Sequence, residues 1–139
     1  MNADEQIARA ADQTVLIVDD DSDARELLAE VLELMVPGIT TLFAQDGRDA
    51  LAVAVDVVPW VVVLDLDMPR LNGDEAAAML RARMGSQVPI LIAVSGDYER
   101  LRRTYDLFDY SLGKPVESEK LADYLARAMS LRGTRPESC

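Results

Sequence analysis

Residues 60–69, Trp60-Val-Val-Val-Leu64-Asp65-Leu-Asp67-Met-Pro69, decide the architecture of this 139-residue chain. Pro59 precedes the run, and Trp60 to Leu64 contains no polar side chain. A run this short and this rich in valine reads as a strand buried on both faces, the kind found inside a parallel sheet. It is the most continuous apolar run in the chain and the best candidate for the central strand. Asp65 to Gly73 is rich in turn residues and reads as a loop.

Working upstream, Asp46-Gly47 turns the chain into a brief helix carrying Leu51, Ala54 and Val55, and Thr40 to Ala44 forms a short strand. Thr14 to Val18 (TVLIV) is another buried strand, followed by Asp19-Asp20-Asp21-Ser22-Asp23. Ala24, Leu27, Leu28 and Val31 then repeat at helical spacing. The helix therefore starts at Ser22 or Asp23, both good N-caps, and Pro37-Gly38 stops it. Working downstream, Asp74 to Met84 is a helix with Ala76, Ala77 and Leu80 inward, and Ile90 to Val94 is a buried strand after Pro89. The stretch from Ser95 to Phe108 is poorly patterned. Tyr110 to Leu112 is a weak strand ending at Gly113-Lys114-Pro115, and Glu117 to Leu131 is a helix with Leu121, Tyr124, Leu125 and Ala128 inward. One domain over residues 13–131 results, with a loose lead-in over 1–12 and a polar tail over 132–139.

Five strands alternating with five helices imply an α/β fold: a doubly wound parallel sheet with helices on both faces. Such sheets bind ligands outside the carboxyl ends of their strands. Four strands end in polar residues: the first at Asp19 and Asp20, the third at Asp65, the fourth at Ser95 and the fifth at Lys114. A parallel sheet brings these ends to one edge, so three carboxylates, a hydroxyl and an ammonium share a crevice. One lysine cannot neutralise three close carboxylates, whereas a divalent cation can. Oxygen-only ligands favour a hard ion, and magnesium suits a site with a few carboxylates and several retained waters. A cation, an ammonium and a hydroxyl around one carboxylate make a place for a phosphoryl group.

Composition excludes much else. There is no histidine, so no His-ligated metal, Ser-His-Asp triad or histidine phosphocarrier is possible. The single cysteine, Cys139, is the last residue and permits no intrachain disulfide. The net charge is −11, and residues 1–75 hold 17 acids against 4 bases. Such a chain repels phosphate backbones and anionic lipid, so neither nucleic acid nor membrane is an expected partner. The longest apolar stretch, Ala50 to Leu64, is interrupted by Asp56 and Pro59 and is too short for a bilayer span. The acidic N-terminus lacks the regions of a signal peptide, and a reducing, cytoplasmic setting is expected.

The chain resembles the receiver domains of two-component response regulators. The resemblance rests on Asp19-Asp20 after VLIV, Asp65 in VVVLDLDMP, Asn72-Gly73 before a helix, Ser95 in IAVSG, and Lys114-Pro115, and it covers roughly residues 13–131. It implies a flavodoxin-like sheet of order 2-1-3-4-5. It implies that Asp65 is the phosphoacceptor and that Asp20, Asp65 and the backbone carbonyl of Asp67 ligate Mg2+, with Asp19 acting through a metal-bound water. It further implies that Lys114 pairs with Asp65 and then with the phosphate, that the Ser95 hydroxyl follows a phosphoryl oxygen, and that Lys114-Pro115 is cis. The implied donor is a sensor histidine kinase or a histidine phosphotransfer protein, and the implied state is a monomer or weak dimer. Such a domain is no enzyme beyond phosphorylating and dephosphorylating itself.

Two departures stand out. The family carries an aromatic residue three positions before the lysine; here Ser111 stands there, with Tyr110 beside it. Either the aromatic switch is missing or a register shift lets Tyr110 take its place. Only 18 residues separate Ser95 from Lys114, which shortens the fourth helix and fifth strand. Two other functions remain open at this level. Asp65-Leu-Asp67 also resembles the DxD of haloacid-dehalogenase-type phosphohydrolases, although Pro69 stands where that family has Thr or Val. A degenerate receiver would only bind partners. Among the remaining residues, Asp21 and Asp23 read as helix caps, and Trp60, Met79 and Met84 as packing. Arg100, Arg102 and Arg103 read as a solvated face.

Overall fold

The computed structural model describes residues 13–68 and 73–134. The lead-in over 1–12, Pro69, Asn72 and the end of the tail lie outside the described residues. Five strands, β1 (Thr14–Val18), β2 (Thr40–Ala44), β3 (Val61–Asp65), β4 (Ile90–Ser95) and β5 (Tyr110–Gly113), form one sheet of order β2-β1-β3-β4-β5. Every pair is parallel, and the run that opens the sequence reading is the central strand. Between and after the strands lie α1 (Ser22–Met35), α2 (Gly47–Val57), α3 (Gly73–Met84), α4 (Tyr98–Arg103) and α5 (Ser118–Thr134). The last helix runs three residues past Leu131.

The pleat sorts the core into two halves, because successive strand residues point to opposite faces. On one side Val15, Ile17, Val61, Val63, Ile90 and Ile92 pack with Ala29 and Leu32 of α1 and Leu121, Leu125 and Ala128 of α5. On the other, Leu16, Val18, Val62, Leu64, Leu91 and Ala93 pack with Ala50 and Ala54 of α2, Ala76, Ala77 and Leu80 of α3 and Leu101 of α4. Alanines on α2 and α3 let both helices lie close to the sheet. Trp60 is buried in the first half and serves as packing.

Several local expectations shift. Asp21, one residue before Ser22, caps α1: its side chain accepts hydrogen bonds from the backbone N–H groups of Asp23 (2.9 Å) and Ala24 (3.3 Å). Of the apolar residues on α2, Val55 is 50 % exposed, because the buried stripe runs through Gly47, Ala50 and Ala54 and leaves it beyond the edge. The unpatterned stretch after Ser95 does contain a helix, but α4 has only six residues and a 3-10 turn at Tyr105–Leu107 leads into β5. That is the expected shortening. It also explains the weak signal, since six residues hold less than two helical turns of apolar stripe. Tyr110 does not take over the position of Ser111. Its ring stacks on Tyr124 of α5 with centroids 4.7 Å apart, while Ser111 pairs with Ala93 in the ladder and faces the α4 side beside Tyr98, Leu101 and Tyr105.

Candidate functional site

The carboxyl ends of β1, β3, β4 and β5 meet at one edge, and the ladder fixes how. Asp65 pairs with Val94 and Ser95 with Gly113, so the polar residues that terminate these strands stand side by side. Asp65 is 5 % exposed. Its Oδ1 accepts hydrogen bonds from Lys114 Nζ at 3.0 Å and from the backbone N–H of Asp67 at 2.9 Å. Lys114 follows β5 directly; its backbone N–H donates to the Ser95 carbonyl (3.0 Å), and its peptide bond to Pro115 is cis.

Carboxylate oxygens of Asp19, Asp20 and Asp65 all lie within 4.8 Å of one another. Asp20 is exposed and Asp19 half-buried. Asp19 is held from three sides: its N–H donates to the Ala44 carbonyl, its Oδ1 accepts from the Asp21 N–H (3.0 Å), and its carbonyl accepts from the Arg25 guanidinium. Burial, aided by the charge of Asp65, pushes the Asp19 carboxyl from its usual 3.8 up to about 6, against the Asp21 N–H and Lys114, which favour the anion. Three oxygen donors, no nitrogen or sulfur, and a surplus of negative charge that one lysine does not cancel together fit a hard divalent cation.

Asp67 has a larger part than its backbone. Its Oδ1 accepts from Ser95 Oγ (2.7 Å); its Oδ2 accepts from the Gly96 N–H (3.0 Å) and lies 3.2 Å from Lys114 Nζ. Burial would raise its carboxyl, but the bonds from Gly96, Ser95 and Lys114 outweigh that and hold it below the usual carboxylate value. Lys114 is the reciprocal case. Desolvation would lower it, and the two carboxylates Asp65 and Asp67 more than compensate, so its ammonium is held above the ordinary 10.5. The Ser95 hydroxyl thus donates to Asp67, and it also accepts from the Asp97 N–H (3.0 Å).

Arg100 corrects the reading of the basic cluster as a solvated face. Its side chain is 24 % exposed, and its guanidinium bonds Asp74 of α3 at 2.9 Å and lies 3.9 Å from Asp67. Arg102 does face solvent, paired with Glu99 at the surface. No periodicity marks Arg100, because α4 is too short to show one. Its only sequence signal is its position, five residues after Ser95.

Beside the acidic cluster runs an apolar groove of about 370 Å³. Leu27, Leu28 and Val31 of α1 wall one side and Pro115 and Val116 the other, and Asp65 and Lys114 reach its end. Leu27 is 63 % exposed and Leu34, two turns along, 83 %. Among the described residues no helix is long and apolar enough to cross a membrane.

Comparison with known proteins gives a consistent result. The sequence model of the response regulator receiver domain matches residues 15–126. The response regulator MprA of Mycolicibacterium vanbaalenii is 40 % identical over 126 residues, covering 88 % of this chain and 52 % of MprA. The regulatory protein AtoC of Escherichia coli is 30 % identical over 125 residues, covering 88 % of this chain and 26 % of AtoC. The chain thus spans about half the length of the first of these relatives. Among solved structures, a CheY-like response regulator receiver domain from Methylobacillus flagellatus superposes with a TM-score of 0.76 at 31 % identity, covering 84 % of this chain and 98 % of that one. The Vibrio cholerae chemotaxis protein CheY4 does so with a TM-score of 0.73 at 28 % identity, covering 83 % and 97 %.

Proposed function

This chain belongs to the receiver domains of two-component response regulators, a signalling family, and from that premise we propose that it takes a phosphoryl group onto Asp65 from a partner's phosphohistidine. Membership sets aside the dehalogenase-type hydrolase. The observation that carries the proposal is the contact of Lys114 Nζ with Asp65 Oδ1 at 3.0 Å beside two further carboxylates within 4.8 Å.

An Asp65 carboxylate oxygen attacks phosphorus. The O–P bond forms as the N–P bond to the donor imidazole breaks, and the electron pair of that bond stays on the ring nitrogen, which takes up a proton. Lys114 bonds a phosphoryl oxygen and balances its charge, and Ser95 Oγ, at the end of the strand next to that of Asp65, binds a second oxygen. A magnesium ion held by Asp19, Asp20, Asp65 and the Asp67 carbonyl would supply the remaining positive charge. Sensor histidine kinases and histidine phosphotransfer proteins are the protein donors that carry such a phosphohistidine. The apolar groove beside α1 ends at Asp65 and suits an amphipathic helix that carries the donor imidazole to the site. The added charge then biases the domain between two partner-binding states.

The discriminating assay incubates the chain with a small-molecule phosphodonor and magnesium. The expected result is one labile phosphate per chain at most, with no sustained turnover of a generic phosphomonoester. Continued turnover would restore a hydrolase, and absence of any label would leave a receiver that only binds partners.

The cation site has its own pH signature. A carboxyl whose folded pKa is raised adds stability below its unfolded value of 3.8, and that contribution is lost as pH climbs through about 6. Above that point Asp19 adds its negative charge to the cluster and a divalent ion has most to offset. Magnesium at ten times its dissociation constant adds about 1.4 kcal/mol, or about 4 °C in a domain of this size. The melting temperature should therefore rise by about that much near pH 7.5 and by clearly less near pH 5, where protons compete for Asp19. Equal shifts at both pH values would contradict this placement of the ion.

A further inference from the structure

Ser95 Oγ, the Gly96 N–H and Lys114 Nζ converge on the Asp67 carboxylate at 2.7, 3.0 and 3.2 Å. A hydroxyl, an amide and an ammonium around one anion are the donor set that a phosphoryl group on Asp65 also needs. Two anions therefore compete for one cradle, since Lys114 and Ser95 cannot serve both at full strength. Among the described residues the nearest other cation is Arg100, whose NH1 lies 3.9 Å from Asp67 Oδ1, too far for a hydrogen bond, while its NH2 is committed to Asp74 at 2.9 Å. Asp67 and Arg100 are 33 % and 24 % exposed in their side chains, so their attraction is only partly screened.

Building on the proposed phosphoacceptor role of Asp65, we infer that Asp67 occupies the phosphoryl cradle in the resting domain and that Arg100 is the positioning residue that receives the Asp67 carboxylate when the phosphoryl group displaces it. Arg100 then exchanges a bond across to α3 for one into the site. The exchange acts on a short, doubly tethered segment. Asp97 caps α4 by accepting from the N–H groups of Glu99 and Arg100, and its own N–H donates to Ser95 Oγ, so the hydroxyl that leaves Asp67 and the guanidinium that receives that carboxylate sit at the two ends of six residues. Phosphorylation is thereby read by α4, the helix that walls the hollow beside Ser111 with Tyr98 and Leu101.

The test titrates the chain with trifluoroberyllate, a phosphoryl analogue, in millimolar magnesium and follows binding by calorimetry. Asp67→Asn removes the competing anion and should tighten binding about tenfold, the scale of one charged hydrogen bond. Arg100→Gln leaves the displaced carboxylate without a partner and should weaken binding by a similar factor. In the Asp67→Asn background Arg100→Gln should change affinity by less than about twofold, because no displaced anion remains. Arg100→Lys should recover part of the loss. Asp74→Asn releases Arg100 without removing it and should tighten binding a few-fold, which guards against a fold defect in the Arg100 variants. Equal weakening by Arg100→Gln in both backgrounds would reduce Arg100 to a structural tie, and no gain from Asp74→Asn would contradict the exchange. If the wild-type chain failed to bind the analogue at all, the phosphoacceptor reading itself would fall, and this inference with it.

Discussion

Asp65→Asn is expected to abolish phosphate labelling while the chain stays folded. The substitution keeps the shape of the side chain and its hydrogen bond from the Asp67 N–H, so the end of β3 has no reason to move. It removes the only carboxylate in the cluster that is both nearly buried and bonded to Lys114. An amide oxygen is a poor nucleophile toward phosphorus, and labelling should fall by at least about 100-fold, the scale on which a lost reacting group is read. Stability should hold or increase, because the substitution removes one of the charges that, after burial, raise the Asp19 carboxyl. Labelling with a small-molecule phosphodonor, together with a melting curve, checks both parts. An acid-stable label that survives in the variant would place the acceptor on a serine or threonine.

Gly73→Ala carries the second large effect, through packing. Gly73 opens α3, where alanine is ordinarily the better helix residue. Here a Cβ would collide with the Leu66 side chain, and it would come within 2.9 Å of the Asp65 carbonyl oxygen and 3.0 Å of Leu66 Cα. Leu66 is fully buried and cannot swing aside, and the other two atoms are backbone. Relief requires the chain just after Asp65 to move away from α3. Overpacking of this kind costs about 1–3 kcal/mol, so a fall in melting temperature of several degrees is expected. The shift also tilts Asp65 away from Lys114, and misplacement of a reacting group by about 1 Å can cost up to 100-fold in rate. Thermal melts and phosphodonor labelling of the variant give the two readings. A rise in melting temperature, as helix propensity alone predicts, would show that the contact is loose.

The frame of the site is legible in the sequence because strands buried on both faces must be continuous apolar runs. Val15 to Val18, Val61 to Leu64 and Ile90 to Val94 are such runs, and each stops where a polar residue reaches the sheet edge. Topology alone then brings Asp19, Asp20, Asp65, Ser95 and the neighbour of Gly113 together, and the resemblance adds roles to residues that the fold has gathered. What periodicity misses lies off the strands. Asp67 is two residues past a strand end, and nothing in its spacing says that its carboxylate turns onto Ser95, Gly96 and Lys114. Arg100 sits in a six-residue helix beside two other arginines, and only its ion pair with Asp74 of α3 and its approach to Asp67 tell it apart from Arg102. The choice between Ser111 and Tyr110 also needed the ladder, because a one-residue slip in β5 exchanges the two faces of the strand.

The central claim is that the acidic edge of the sheet makes Asp65 a phosphate acceptor. Aspartyl phosphate is an acyl phosphate, and borohydride reduces it to homoserine. The most direct measurement is therefore peptide mass spectrometry of the chain after phosphodonor, magnesium and borohydride treatment. Homoserine at position 65, formed with magnesium and lost when the ion is chelated, is the predicted result. Homoserine at 19, 20 or 67 instead, or an unreduced phosphate on Ser95, would contradict the account.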